Sequence, residues 1–570
     1  NNFQPRVSLA WSPEFKSGFL GKLFGKNGQS VLRGGFGITN DYYGQQLAVS
    51  FDLNNALGFS SSQNINANTF SLPDAFGGGG TRPIAPLFTG FGQNVRSLPN
   101  ITLPGNLTFP QTARFTTARP IQSSLDQALV APINYSWNVT YERELPHGLV
   151  LQASYIGRAA RHLIASRDVM ALNDLVDPKS GMDWYTAAGM LEQLRVAGVS
   201  VDQVSQIPYF ANIFPADLAH RINENYFGDA VLDEGLNQTQ AVFIMASRDI
   251  FGNDWTDTQD ALDQAVNDGV STAHNLFFQP QYGALSAFSS IANSNYHAGT
   301  LSIRERLGTT LTMDFNYTLS HSLDDASGLS TAGAFGGAFI VNPILQHTSY
   351  ANSDFDIRHI VNMNAVWELP FGKGRTFLND SNRWDNGVLG GWQLSGIFRW
   401  NSGLPVGFYG DSGPFDNSRW ATNWNVQSNV IRTQPIDTCP DRGGPITDVN
   451  PSGAPKLFGC NTQAAYDSFR NARPGEVGDR NVFRVPGYVD LDVGLGKSFT
   501  MPWSEKHKLQ IRAEAFNITN TQRLGQYDTG RSGFGVNLKP SSAKPPTNWG
   551  NFTAIQGSPR VMQFGFRYEF

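Results

Sequence analysis

Alternation with a period of two runs through much of this chain. In PINYSWNVTYE (132–142), Ile133, Tyr135, Trp137, Val139 and Tyr141 share one side of an extended strand, and Asn134, Ser136, Asn138, Thr140 and Glu142 share the other. LTMDFNYTLSH (311–321) repeats the pattern with Leu311, Met313, Phe315, Tyr317 and Leu319. VNMNAVWEL (361–369) sets Val361, Met363, Ala365, Trp367 and Leu369 against Asn362, Asn364, Val366 and Glu368, and YVDLDVGLG (488–496) sets Val489, Leu491, Val493 and Leu495 against Asp490, Asp492, Gly494 and Gly496. Successive side chains of a strand point to opposite faces, so each segment predicts a strand with one apolar and one polar face. Eleven such strands are expected, at 3–13, 30–41, 132–145, 149–163, 294–308, 311–325, 357–371, 391–405, 487–500, 507–520 and 561–570. Most reach about ten residues, the length that crosses a bilayer as a tilted strand.

The connections alternate in length. After strands 1, 3, 5, 7 and 9 they are short or moderate, with PHG (146–148) among the shortest; after strands 2, 4, 6, 8 and 10 they are long, at 42–131, 164–293, 326–356, 406–486 and 521–560. Short turns at one end and long loops at the other are the plan of an outer-membrane barrel. A soluble sandwich or propeller has no reason to sort its loops this way. The expected fold is therefore all-β, an antiparallel transmembrane β-barrel with long extracellular loops, some carrying short helices. Within 164–293, a large extracellular insertion, MDWYTAAGMLEQLRVAG (182–198) reads as a helix with Asp183 as N-cap and Gly198 as its stop; TDTQDALDQAVNDG (256–269) reads as a second, ending at Gly269.

The last strand answers a puzzle at the end of the sequence. VMQFGFRYEF places Met562, Phe564, Phe566, Tyr568 and Phe570 on one face, with a bare aromatic as the final residue. Against lipid these side chains are in a favourable solvent, and the ring-bearing end belongs to an interfacial aromatic girdle. Phe564, Phe566, Tyr568 and Phe570 also resemble the C-terminal signal by which the barrel assembly machinery recognises its substrates.

Strand parity carries a further expectation. With short turns on the periplasmic side, strands 1 and 11 run in the same direction and would close only in parallel. Bacterial single-chain barrels are antiparallel with an even strand number. Eleven strands thus fit the C-terminal half of a 22-strand barrel, the class with a plugged lumen. Asn1 opens the sequence with no secretory signal before a segment that already reads as strand, so the expected start is processed or truncated.

Composition narrows the partners. With 570 residues, soluble-domain priors alone would suggest several domains, but large barrels escape that rule. The 42 basic and 47 acidic residues give a net charge of −5, without the basic excess of a nucleic-acid binder. No apolar run is long enough for a transmembrane helix. The two cysteines, Cys439 and Cys460, share one Pro/Gly-rich stretch and predict a disulfide in an oxidising compartment.

Candidate chemistry is sparse. FGGGGTRP (76–83) lacks the Lys and following helix of a phosphate loop and reads as a flexible loop. Asp324, Asp325, Asp354 and Asp356 flank one loop, where acids of this density would be candidates for calcium, but without EF-hand spacing. His321, His347 and His359 lack zinc-like spacing. Ser, His and Asp lie close together near 320–325, yet adjacency in sequence does not make a triad. No catalytic motif is present and no cofactor is implied, so an enzyme is not expected. Arg304, Arg306, Arg399 and Arg512 fall within strands; a lumen-facing position would let them line a solute path or grip a plug, since a charge facing lipid near the midplane costs a few kcal/mol. Asn138, Asn316 and Asn517 head Asn-x-Ser/Thr sequences within predicted strands and read as polar-face residues rather than glycan sites.

An ordered series of segments resembles the barrel of Oar-like TonB-dependent receptors, outer-membrane proteins with an N-terminal carboxypeptidase-regulatory-like domain. It includes NNFQPRVSLAW (1–11), SVLRGGFGITND (30–41), PINYSWNVTYERELPHGLVLQASYIG (132–157), SDFDIRHIVNMNAVWELPFGKGR (353–375), GWQLSGIFRWNSGLPV (391–406), LQIRAEAFNITN (509–520) and PRVMQFGFRYEF (559–570). The resemblance implies an energised importer in the bacterial outer membrane. A plug fills its barrel, TonB supplies force through that plug, and a scarce or bulky solute is the cargo. Only the later part of the barrel is matched across 1–570, so plug and regulatory-like domain are expected upstream of it. The competing expectation is a non-transporting surface protein whose barrel anchors long loops for adhesion or assembly.

Overall fold

The computed structural model describes residues 3–15, 17–25, 28–41, 121–169, 174–247, 255–267, 276–277, 284–307, 310–327, 339–408, 430–441, 443–444, 446, 453–470, 472–501, 503–524, 545, 549–552 and 555–570. The glycine-rich 76–83 and Gly269 lie outside these residues. Eleven strands form, in chain order, the continuous path of a 14-stranded sheet: β1 (Arg6–Trp11), β2 (Ser30–Asn40), β3 (Ile133–Leu145), β4 (Leu149–Asp168), β5 (Ala284–Leu307), β6 (Leu311–Asp324), β7 (His359–Glu368), β8 (Trp392–Asn401), β9 (Tyr488–Met501), β10 (Ser504–Phe516) and β11 (Val561–Glu569). Three short strands pair off this path, Ile121–Leu125 and Phe339–Ile340 in parallel with β5 and β4, and Ala351–Asn352 antiparallel to β6. Every neighbouring pair along this path is antiparallel. Among the described residues β1 and β11 are the two edges of the path, and no pairing joins them.

Register keeps the two faces distinct over the whole sheet. Ser302, Asn316, Asn362, Arg399 and Asp490 are successive partners across five strands. One residue along, Leu301, Tyr317, Val361, Trp400 and Val489 make the neighbouring row. A slip of one residue would exchange the rows, sending charges into lipid, so the alternation itself pins the register. Among the described residues much of the apolar face lies open: Leu9, Phe564 and Phe566 are 71%, 71% and 73% exposed. In water this would be an aggregation surface; in a bilayer it is the solvated one.

Some strand ends depart from the expected positions for identifiable reasons. β10 stops at Phe516 because Asn517 and Asn520 adopt left-handed backbone, which Asn tolerates better than most residues. Asn517 Oδ1 then accepts from Thr521 N–H, and its Nδ2 donates to Thr521 and Ser558 carbonyls. It is a turn residue, not the polar-face strand residue expected. β5 begins ten residues earlier than expected, at Ala284. Ala287, Phe288 and Ser289 are all buried there, so both faces are covered and the period of two disappears.

At the short-turn end, Pro146–Gly148 closes the β3–β4 hairpin, with Gly148 at φ 77, where a side chain would be strained. Two connections at this end carry helices that alternation did not reveal, Gly18–Phe24 and Arg383–Leu389. Asn382 caps the second by accepting from the Trp384 and Asp385 N–H groups. Phe19 and Trp384 are exposed, as suits short amphipathic helices at a membrane interface.

The buried cores lie at the long-loop end. The first joins helices Trp184–Val196, Pro208–Ile213, Leu218–Ile222, Gln238–Ser247 and Trp255–Val266 around Trp184, Phe210, Leu218 and Met245. The Trp184 ring meets Phe210 and Trp255 edge-on. Asp183 caps the first helix through Thr186 N–H, as its sequence predicts, and Gly198 follows the helix at φ 70. The second core gathers Phe408, Phe458, Phe469, Phe483 and Trp549 from two different loops. Cys439 and Cys460 are bonded beside it, with Cα atoms 5.7 Å apart, inside the usual disulfide range.

Two stability predictions follow from these cores. Trp184→Ala removes a fully buried indole and is expected to cost about 3–5 kcal/mol, read as selective loss of protease resistance in 174–277. Cys439→Ser/Cys460→Ser opens a loop of sequence separation 21 and is expected to destabilise the second core by about 3 kcal/mol. Hydrogen exchange should rise in 430–470 and leave β5–β8 protected.

Candidate functional site

Two places collect polar chemistry: the polar face of the sheet and the loops above it. On the face, Arg304 lies 3.5 Å from Asp314, Arg399 lies 4.0 Å from Asp490, and Arg512 lies 3.1 Å from Glu514. Arg33 pairs with Glu142 at 3.3 Å and Arg567 with Glu569 at 3.3 Å on the same face. Three of the four strand arginines singled out from sequence are thus placed on the polar side. Arg306 stands opposite Thr312 in the same alternation, and its side chain lies outside the described residues. Asn138 and Asn316 are on this face as well, and Asn316 accepts from the Ser302 hydroxyl at 2.7 Å.

At the long-loop end of the sheet, the four aspartates are held by separate partners, three of them by arginines and Asp325 by Asn293. Arg480 binds Asp324 and also donates to the carbonyls of Asp324 and Ser349 and to the Ser327 hydroxyl. Arg484 binds Asp356 and the carbonyls of Asp356 and Gly403. Asn481 donates to Asp354 at 2.7 Å and to the Asn352 carbonyl at 2.7 Å. Asp325 accepts from Asn293 through both its backbone and side-chain nitrogen. Guanidinium groups therefore supply the positive charge that a calcium ion would have brought, and no metal-binding cluster occurs among the described residues. Nothing at 320–325 forms a nucleophile–base relay. Ser320 donates to the Ile357 carbonyl, His321 faces Asn352 and Arg358, and Asp324 faces Arg480.

The arginine latch was not legible in sequence because its halves are over 120 residues apart. His321 and His359 also have partners that spacing does not reveal. His359 Nδ1 is 2.9 Å from the Tyr317 hydroxyl, and its ring stacks between Tyr317 and Trp400 on the apolar face. These rings stand where an interfacial aromatic girdle belongs.

The helical unit carries several groups with shifted titration. Burial, opposed by a hydrogen bond from Tyr185 N–H and reinforced by the charge of Asp183, pushes Asp174 up to about 6 from 3.8. Hydrogen bonding to Glu234, with the charge of Glu224, raises His220. Asp177 moves the other way: burial works against its charge, but Ser180, Asn212 and the Lys179 backbone hold it low, so it stays ionised through the neutral range.

The chain matches the family described as "Outer membrane beta barrel domain" over residues 1–563 and belongs to it. It is an outer-membrane β-barrel protein. Among solved structures it is similar to the outer membrane transporter YddB from Escherichia coli, at 7% identity and a TM-score of 0.35, covering 92% of this chain and 38% of that one. It is also similar to the ferripyoverdine receptor of the outer membrane of Pseudomonas aeruginosa, at 8% identity and a TM-score of 0.33, covering 100% of this chain and 33% of that one. The toluene transporter TodX of Pseudomonas putida is a third, at 9% identity and a TM-score of 0.18, covering 77% and 61%. This chain spans less than two fifths of the length of the first two. At such identity and overlap they bear on neither its ligand nor its partners. A comparison with curated proteins finds no match.

Removing Arg484 leaves Asp356, 1% exposed, with Arg358 at 3.4 Å as its remaining guanidinium partner. Arg484→Ala is therefore expected to cost about 1–3 kcal/mol, read as faster exchange and proteolysis in 339–358. For Asp174, whose folded value is raised, the native state holds its proton more tightly, so stability falls as pH rises from about 4 to about 6. The raised His220 acts in the same direction, its contribution being lost as pH rises through its folded value. The helical unit is thus expected to unfold at higher denaturant at pH 5 than at pH 8, and Asp174→Asn should flatten that dependence.

Proposed function

We propose that this chain is the later part of the barrel of an Oar-like TonB-dependent receptor, which takes up a scarce or bulky solute. The observation that carries the reading is the parity of the sheet. Its edge strands β1 and β11 run in the same direction, so an antiparallel closure needs an odd number of further strands. Eleven more would complete a 22-strand barrel of the plugged class. The ordered resemblance of the strand segments and the sorting of long loops to one end support the same assignment. In this reading the plug and the regulatory-like domain belong to another part of the polypeptide, TonB acts through the plug, and the protein is not an enzyme.

The two folded cores at the long-loop end favour a second reading. A barrel that anchors structured loops for adhesion or assembly needs such cores and no plug. Isolating the native polypeptide from outer membranes decides between them. The transporter reading expects a mass well above 62.5 kDa, plug peptides upstream of Asn1, and capture by the periplasmic domain of TonB. A native polypeptide without a plug that TonB does not capture would overturn it.

The alternating C-terminal aromatics Phe564, Phe566, Tyr568 and Phe570 are proposed as the assembly signal. Phe570 is 92% exposed and touches Tyr568 alone among the ring contacts of the described residues, so its removal costs the folded sheet little. Deleting Phe570 is expected to lower the yield of heat-modifiable barrel in the outer membrane several-fold. The melting temperature of whatever assembles should not change.

A further inference from the structure

The polar face contains a cleft of about 600 Å³ on β1–β5, toward the long-loop end. That volume suits a ligand of several rings rather than a single ion. Its lining includes Arg6 and Arg158 and no carboxylate. This sets the two apart from Arg33, Arg304, Arg399, Arg512 and Arg567, each of which has an acid beside it on the same face. Among the described residues neither Arg6 nor Arg158 has an acidic partner, and both are exposed.

Register explains how they cooperate. Arg6, Gly37, Ser136 and Arg158 are successive partners in one row across β1–β4. The arginine Cα atoms are therefore about 14 Å apart, three strand spacings. Between them stand two of the smallest side chains available, so the floor is low and the long arginines bound it on both sides. A Cβ on Gly37 would come within 3.5 Å of Arg6 Cγ and 3.7 Å of Ser136 Oγ. The adjoining positions supply hydroxyls and amides, among them Thr39, Asn138, Gln152 and Ser154. Two guanidinium groups with no acidic partner among the described residues favour planar anions such as carboxylates, which each can grip through two N–H donors. The surrounding hydroxyl and amide groups suit a ligand rich in hydroxyls.

We infer that Arg6 and Arg158 form a two-point clamp for a polyhydroxylated carboxylate, of the chemical class of acidic sugars, on the wall of the solute path. The inference rests on the reading that the polar face lines such a path. Its test does not depend on energised transport, so the two fail separately. If TonB capture fails, the binding measurement still stands or falls on its own.

The native full-length polypeptide in detergent is titrated calorimetrically with trigalacturonate, and with maltotriose as the neutral counterpart. Trigalacturonate is expected to bind and to weaken as salt rises; maltotriose is not. Arg6→Gln and Arg158→Gln should each weaken binding about tenfold or more, the scale of losing a charged hydrogen-bonding partner. Arg304→Gln/Asp314→Asn, a neutralised pair elsewhere on the face, should leave it unchanged. Should either glutamine variant fail to give a heat-modifiable barrel, the wild-type protein supplies the answer. Trigalacturonate, unlike maltotriose, should protect Arg6 and Arg158 from phenylglyoxal, as read by mass spectrometry. Absence of acid binding, equal binding of both sugars, unaltered affinity in folded glutamine variants, or unprotected arginines would each overturn the clamp.

Discussion

The structure depends on one constraint: inside hydrocarbon, no backbone N–H or C=O can look to water for a partner. Strands satisfy it only by bonding to neighbouring strands. The long ladders between β4 and β5, β5 and β6, and β9 and β10 do this over the width of a bilayer. An edge left open in lipid strands a row of donors and acceptors, each costing several kcal/mol. The direction and pairing of β1 and β11 therefore matter more to this protein than any single side-chain contact.

Once the ladder is set, the two faces answer to different solvents. The lipid face is made of exposed apolar residues and requires no interdigitated core, which explains why a sheet this large has so few fully buried side chains. The polar face must carry charge without unfavourable burial, and it does so mainly by placing arginines beside acids. Arg6 and Arg158 break that rule together, in the same row, which is why the cleft between them stands out from the rest of the wall.

The loops obey soluble-protein physics. They bury Trp184 and Trp549, form aromatic clusters, and fix their connections with a disulfide and the Arg480 and Arg484 latch. The latch ties the 325–358 connection to the end of the 402–487 connection, so these two loops behave as one surface. The helical unit is joined to them through Val477, which enters its core, and through Gly475, where a Cβ would meet the Tyr185 ring.

The sequence by itself determined the eleven strands, their order and their two faces, because a period of two is a local property that lipid and water on opposite sides impose on every strand. It also determined the cap of the first loop helix at Asp183, since capping needs only residues three apart. Short helices such as Arg383–Leu389 escaped it, being too brief to show a period. So did the buried start of β5, where cover on both faces erased the alternation. Only the tertiary structure decided which arginine meets which acid. Asp324 and Asp356 read as a candidate cation site until Arg480 and Arg484 arrive from over 120 residues away, and Arg6 and Arg158 become neighbours only through the register of four strands. Pairings of that kind are set by how the ladder and loops close in space, and a linear pattern holds no record of them.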